Sequence, residues 1–200
     1  MATAVQRQRR RQAREATRAQ ILAAADALLR ERSFRELSVD ELMSRAGLAR
    51  TLFYRHFDDL PDVAVRVLEG IGAELYEISR DWAASTGAAE ADRRALERIV
   101  DFFVRHGPLV RSIAEGASHD EAIERTYRGF IDMFVELTER SLAARSGAGR
   151  IQQVDTREVA RALTWMNERY FLESFGREPQ ADPARALDAV WTIWTRTLYA

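Results

Sequence analysis

Arg50, Thr51, Tyr54 and Arg55 are the residues of this chain best suited to work on a nucleic acid. Together they offer guanidinium groups, a methyl with a hydroxyl, and a phenol, the groups that read base edges and grip phosphates. Their spacing matters as much as their types. At about 100° per residue, with Leu52 as origin, Phe53 and Phe57 fall within about 140° of it and form a buried arc. The four polar residues take most of the remaining circle. Such a face is either a recognition surface or the solvated side of an ordinary short helix. His56 lies on the edge of the buried arc, where a packed or capping role and a phosphate contact are both open.

The elements that must position these residues can be read on either side of them. Val39, Leu42, Met43 and Ala46 recur at helical spacing, and Ser38 with Glu41 three residues on is a capping-box pattern. Gly47 tolerates the left-handed backbone of a tight helix exit. Leu48, Leu52, Phe53 and Phe57 then open a second short helix, so the stretch predicts a helix-turn-helix. A preceding helix from Thr17 to about Arg32 presents Ile21, Leu22, Ala25, Leu28 and Leu29, and Phe34 and Leu37 staple the link. Residues 1–14 carry Arg7, Arg9, Arg10, Arg11 and Arg14 with no acid. They are expected to be a flexible, disordered arm, either a solubilising tail or a strand that follows a minor groove or phosphates.

Charge is distributed to match. Residues 1–57 hold 12 arginines against 6 acids, and residues 58–200 hold 18 against 25, so a net charge of −1 hides a basic head on an acidic body. Only the head is suited to approach a polyanion. A chain of 200 residues with 46% apolar and 30% charged content has the composition of a globular protein. There is no cysteine, and His56, His106 and His119 are scattered without ligand spacing, so neither metal nor cofactor is implied. No apolar run approaches twenty residues and no signal peptide is legible, which predicts a cytoplasmic protein without a membrane partner.

Beyond residue 58 the pattern is helical throughout, and the fold class predicted is all-α: a three-helix head over 15–58 and a helical body over 59–200. Helices are expected at 59–84, 91–105, 120–144, 155–175 and 183–199. The stretch Ser85 to Ala89 reads as a break, His106-Gly107-Pro108 as a helix end followed by a short turn at 109–114, and 145–154 as a loop. The helix at 155–175 is apolar on two sides. Val159, Leu163, Met166 and Tyr170 make one stripe, and Trp165, Leu172 and Phe175 lie well round from it. With Trp191 of the last helix these three are expected to pack on a second copy, since a helix apolar on two sides is buried on two sides.

The head resembles the TetR family of transcriptional repressors. The resemblance lies in Ile21-Leu22-Ala23-Ala24-Ala25, Leu37-Ser38-Val39-Asp40-Glu41-Leu42, and Ala46-Gly47-Leu48-Ala49-Arg50-Thr51-Leu52-Phe53-Tyr54-Arg55-His56-Phe57. It implies that Arg50, Thr51, Tyr54 and His56 contact operator DNA and that Ser38 caps toward a phosphate. Arg55, Thr17 and the arm residues Arg10 and Arg11 are counted with them. Two positions depart from the family pattern. Ala49 replaces a capping Ser or Thr, and Leu60 stands where a lysine usually reaches a phosphate.

The body is similar to one branch of that family, the ethionamide-pathway repressors (EthR) and their relatives, through Leu163 to Phe175 and Ile193-Trp194. This implies an apolar ligand tunnel lined by Phe103, Tyr127, Phe130, Ile131, Phe134, Thr138, Thr164, Asn167, Phe171 and Trp194. Asn167 falls between Leu163 and Phe171 on an apolar face, where a buried amide needs a partner: another side chain, or a ligand carbonyl. The expected ligand is elongated and uncharged or weakly polar.

The function expected is a ligand-responsive repressor that binds palindromic operator DNA as a homodimer and is released by a small hydrophobic ligand. The alternative is a dimeric DNA-binding regulator with no effector. An enzyme finds no support, because no glycine-rich phosphate loop, metal cluster or nucleophile–base pair is visible. Glu168 beside Arg169 reads as an ion pair.

Overall fold

The structure, a computed structural model, describes residues 2–84 and 89–199. Among these residues there are seven α-helices, two short 3-10 helices and no strand. The break expected at Ser85 to Ala89 lies outside the described residues except for Ala89, which opens a helix. The helices are α1 (Ala2–Glu31), α2 (Val39–Arg45), α3 (Leu60–Ala83), α4 (Ala89–Ala117), α5 (Glu121–Gly147), α6 (Thr156–Phe175) and α7 (Pro183–Leu198). The 3-10 helices are Phe34–Glu36 and Arg50–Arg55.

Aspartates start most of the body helices. Asp59, Asp120, Asp155 and Asp182 each accept backbone N–H groups of the first turn they precede, which satisfies donors that have no intrahelical partner.

Two expectations are corrected here. The segment 1–14 is not an unstructured arm: from Ala2 onward it is the first half of α1. Alanine, arginine and glutamine dominate it, and these are strong helix formers whatever their polarity. Nor does α4 end at His106-Gly107-Pro108. It runs through Pro108 to Ala117. Proline removes the bond to the carbonyl four residues back, and here that carbonyl, Val104 O, accepts instead from Gln180 Nε2 at 3.2 Å. Gly107 has its own reason to be there. A Cβ on it would collide with the backbone oxygen of Phe175, so only glycine lets α4 and α6 come so close.

Two apolar cores result. One gathers Ile21, Leu28, Met43, Phe53, Phe57, Val63 and Val67 with Leu109, Ile113 and Ile123 of the body. The other joins α3 to α7 around Leu96, Phe103, Leu163, Phe171, Phe175 and Trp194. The head is therefore seated on the second half of α4, the half that exists because the helix survives its proline. α3 contributes to both cores, through Val63 to Leu68 in one and Ile78 and Trp82 in the other.

Candidate functional site

The basic face is built by α2 and the 3-10 helix Arg50–Arg55. Ser38 caps α2, its Oγ accepting from the Glu41 N–H at 3.2 Å. The Glu41 carboxylate does not reach back to complete the box; it accepts from Arg32 Nη1 at 2.5 Å. Gly47 leaves the helix at φ +67. Its N–H donates to Ser44 O at 3.0 Å and the Leu48 N–H to Met43 O at 2.9 Å, the crossed pair of a Schellman exit. Ala49 offers the next element no side-chain cap.

Phe53 and Phe57 anchor that element from beneath, their ring centroids 5.8 Å apart. Arg50, Thr51, Tyr54 and Arg55 are solvent-exposed, as is Ser38. Arg50 is paired with Asp40 in the first turn of α2, and its guanidinium is held in the charged form by the hydrogen bond to Asp40 and then by Tyr54. α1 docks on the same element, Arg14 Nη2 donating to Arg55 O at 3.3 Å. His56 closes the element. Its N–H donates to Phe53 O at 2.9 Å, and its Nδ1 is buried without a hydrogen-bond partner. Burial, with Arg14, Arg18 and Arg55 nearby, pushes its pKa down.

Thr17 is not a helix start. It lies within α1, half-buried, its hydroxyl donating to Ala13 O at 3.0 Å. Arg10 and Arg11 are exposed on α1, Arg11 pairing with Glu15 at 3.2 Å.

A second site lies in the body. An apolar cavity between α3, α4, α5 and α6, with Trp194 of α7 in its wall, has about 980 Å³ of space free of atoms, its open mouth included. Phe103, Tyr127, Phe130, Ile131, Phe134, Thr138, Thr164, Asn167 and Trp194 line it as expected. Phe171 does not. It is fully buried behind the wall, its ring 5.5 Å from that of Phe103 and 6.2 Å from that of Phe175. The α3 side of the wall, absent from the sequence expectation, is formed by Leu68, Ile71, Gly72, Leu75, Ser79 and Trp82.

The polar points of the cavity are few. Asn167 Oδ1 accepts from Trp194 Nε1 at 3.3 Å, and its Nδ2 has no hydrogen-bond partner among the described residues. At one end Asp92 accepts from Trp82 Nε1 at 2.6 Å, Arg145 Nη1 at 2.7 Å and the Tyr199 hydroxyl at 2.6 Å. The Arg145 guanidinium lies 4.8 Å from the Trp82 ring centre. Burial and Asp92 raise the pKa of the Tyr199 phenol.

Near Asn167, Glu168 is buried and accepts from the Tyr127 hydroxyl. Burial first, then Glu168, pushes the Tyr127 pKa far up. Asp92 and Arg145 carry a sequence signal of one kind: each is a charged residue at a core-facing position of an amphipathic helix.

Two of the residues expected at a partner interface are corrected. Leu172 and Phe175 are buried within this chain, packed in the body core, because α4 crosses α6 at Gly107 and covers them. Trp191 is half-buried against the same core. Trp165 is exposed, together with Tyr170 of α6 and Ile193 of α7.

Comparison with known proteins bears on both sites. Residues 21–59 match the sequence profile of the bacterial regulatory proteins of the tetR family, and residues 92–200 match that of the C-terminal domain of the transcriptional regulator EthR. The chain is 28% identical over 189 residues to the HTH-type transcriptional regulator EthR of Mycobacterium tuberculosis, covering 90% of this chain and 85% of that protein. It is 26% identical over 186 residues to EthR of Mycolicibacterium smegmatis, with the same coverage. Its fold is similar to that of a TetR-family regulator from Syntrophomonas wolfei, with a TM-score of 0.74 at 16% identity over 92% of this chain and 95% of the other.

Proposed function

The chain belongs to the TetR family of DNA-binding transcriptional regulators and carries an EthR-type C-terminal domain, and from that premise we propose that it is a ligand-responsive repressor. In this reading it binds a palindromic operator as a homodimer and is released by a small hydrophobic ligand held in the body cavity. Ser38, Arg50, Thr51, Tyr54, Arg55 and His56 contact the operator, with Arg10, Arg11 and Thr17 of α1 alongside. The division of labour is a basic first half of α1, a head to about residue 58, and a ligand-binding and dimerising body. The protein acts on DNA and performs no catalysis.

One observation carries the proposal: α3 is shared. Its first turns pack under the DNA-facing element, with Val63, Ala64, Val67 and Leu68 in the core of Phe53 and Phe57. From Leu68 to Trp82 the same helix is a wall of the cavity. A ligand in the cavity therefore presses on the helix that seats the head. It shifts DNA binding only so far as it binds one head placement better than the other. A core without a cavity would favour a regulator that needs no effector; the open apolar space favours the regulated one.

The test is fluorescence anisotropy on a labelled palindromic fragment from the DNA flanking the gene, titrated with a panel of hydrophobic amides and esters. Release of the fragment by members of the panel is expected. If none moves DNA affinity while the protein binds its operator tightly, the effector-free regulator replaces this reading.

A further inference from the structure

The cavity is mostly apolar, but one acid in its wall is left without a close counter-charge, which a container for neutral oils does not need. Among the described residues that line it, the ionisable ones are Asp92, Tyr127 and Glu168, and none is basic. Asp92 is fully engaged by Trp82, Arg145 and Tyr199. Glu168 is not. Its side chain is 6% exposed; one carboxylate oxygen accepts from the Tyr127 hydroxyl. The other, Oε2, is shielded from solvent and has no hydrogen-bond partner. The nearest opposite charge is Arg169 Nε at 4.0 Å, beyond hydrogen-bond reach and on a side chain that is 65% exposed. A buried carboxylate oxygen without a donor is unstable in an apolar wall and is a standing acceptor for whatever enters. The aromatic rings of Phe130 and Phe134 line the same space, and ring faces attract cations.

We propose that the cavity ligand is a cationic amphiphile: an apolar chain or ring system bearing a primary or secondary ammonium group that donates to Glu168 Oε2. This rests on the reading of the cavity as the effector site and narrows its ligand class. The unpartnered Asn167 Nδ2 lies one residue away and serves as donor to a carbonyl or ether oxygen on the same molecule. Carboxylates of the same length are disfavoured, because the wall offers them acidic side chains and no cation.

The experiment uses the fluorescence of Trp82 and Trp194, both in the wall, in the full-length protein. Decylamine, methyl decanoate and decanoate, equal in chain length, are titrated below their micelle concentrations at pH 7. Decylamine should bind roughly tenfold or more tightly than the ester, as a hydrogen bond to a charged group is worth, and decanoate should bind most weakly. Glu168→Gln keeps the shape and should erase most of the amine-over-ester ratio. Tyr127→Phe removes the donor on the other carboxylate oxygen, Oε1, and should retain that ratio. Equal binding of amine and ester by the wild-type protein, or tighter binding of decanoate, overturns the proposal while leaving a hydrophobic effector site in place. An amine preference that survives Glu168→Gln also overturns it. If none of the three binds, and the amides and esters of the preceding test fail as well, the effector-site reading falls and this one with it.

Discussion

At the residue scale the exposed polar side chains of the Arg50–Arg55 element are legible in sequence because exposure and helical phase are local properties. The wheel puts Phe53 and Phe57 inside and Arg50, Thr51, Tyr54 and Arg55 outside, and the structure does the same. What the wheel cannot show is that Arg50 is already held by Asp40 and Tyr54. A base contact must then compete with, or be oriented by, that pair. Arg50→Ala should weaken binding to the specific site by about 1–3 kcal/mol if the guanidinium meets a guanine, and should flatten preference among operator variants in the same anisotropy assay. Asp40→Asn is the complementary change. It removes a negative charge beside the DNA and frees the guanidinium, so affinity for all sequences should rise while the ratio of specific to non-specific binding falls. In the cavity, Asn167 is placed by its polar identity on an apolar face. Glu168 escapes the same logic, because a charged residue beside an arginine has the pattern of a solvated ion pair.

Element boundaries follow caps and fail at breakers. Asp59, Asp120, Asp155 and Asp182 announce their helices, since a carboxylate before an apolar-periodic run has few other uses. Pro108 announces an end that does not occur, because the side chain that rescues the helix, Gln180, is 72 positions away in sequence. No local pattern carries that information. Gln180→Leu should therefore destabilise the protein although it touches neither site. It strips acceptors at Val104 O and Phe175 O of a donor at 3.2 and 3.1 Å, a loss of about 1–2 kcal/mol. For a chain of this size that lowers the thermal midpoint by about 2–4 °C for each kcal/mol. The first half of α1 poses the opposite case. Its arginines have the composition of an arm, yet they project from a helix. Deleting residues 2–14 should weaken binding to every DNA sequence alike. The log–log salt slope should fall by about 0.9 for each phosphate that the shortened protein no longer neutralises.

For the whole molecule, the seam between head and body and the surface left for a proposed second copy are the features least written in sequence, since each depends on surfaces brought together from distant segments. At the seam, Arg30 of α1 lies 2.9 Å from His106 Nδ1 of α4, and Glu74 of α3 lies 3.3 Å from its Nε2. Burial first, then Arg30 and Arg105, pushes the His106 pKa below its ordinary 6.5, with Glu74 opposing; His56 is pushed the same way. Between the lowered folded values and the unfolded value of about 6.5 the unfolded chain binds more protons. The stability these histidines supply is thus complete above about pH 6.5 and is lost as pH falls through that window. Thermal midpoints should drop from about pH 7.5 toward about 5.5, and His106→Gln should make that drop shallower.

The partner face is where two-sided apolarity misleads. Leu172 and Phe175 look outward on a wheel drawn for α6 alone, but α4 covers them. What α6 and α7 leave uncovered is Trp165 at 37% exposure, Tyr170 at 38% and Ile193 at 45%. Trp165 and Tyr170 stand on different sides of α6, so Trp165, the exposed member of the stripe expected to meet a second copy, is the position to test. A two-fold pair built there would place two heads to read two half-sites. For the homodimer proposed above, the expectation is that Trp165→Glu yields a monomer in sedimentation velocity. The substitution should also cut affinity for the full palindrome far more than affinity for an isolated half-site. Phe175→Glu should instead unfold the body. A Trp165→Glu protein that remains a dimer would move the interface to another face of the molecule.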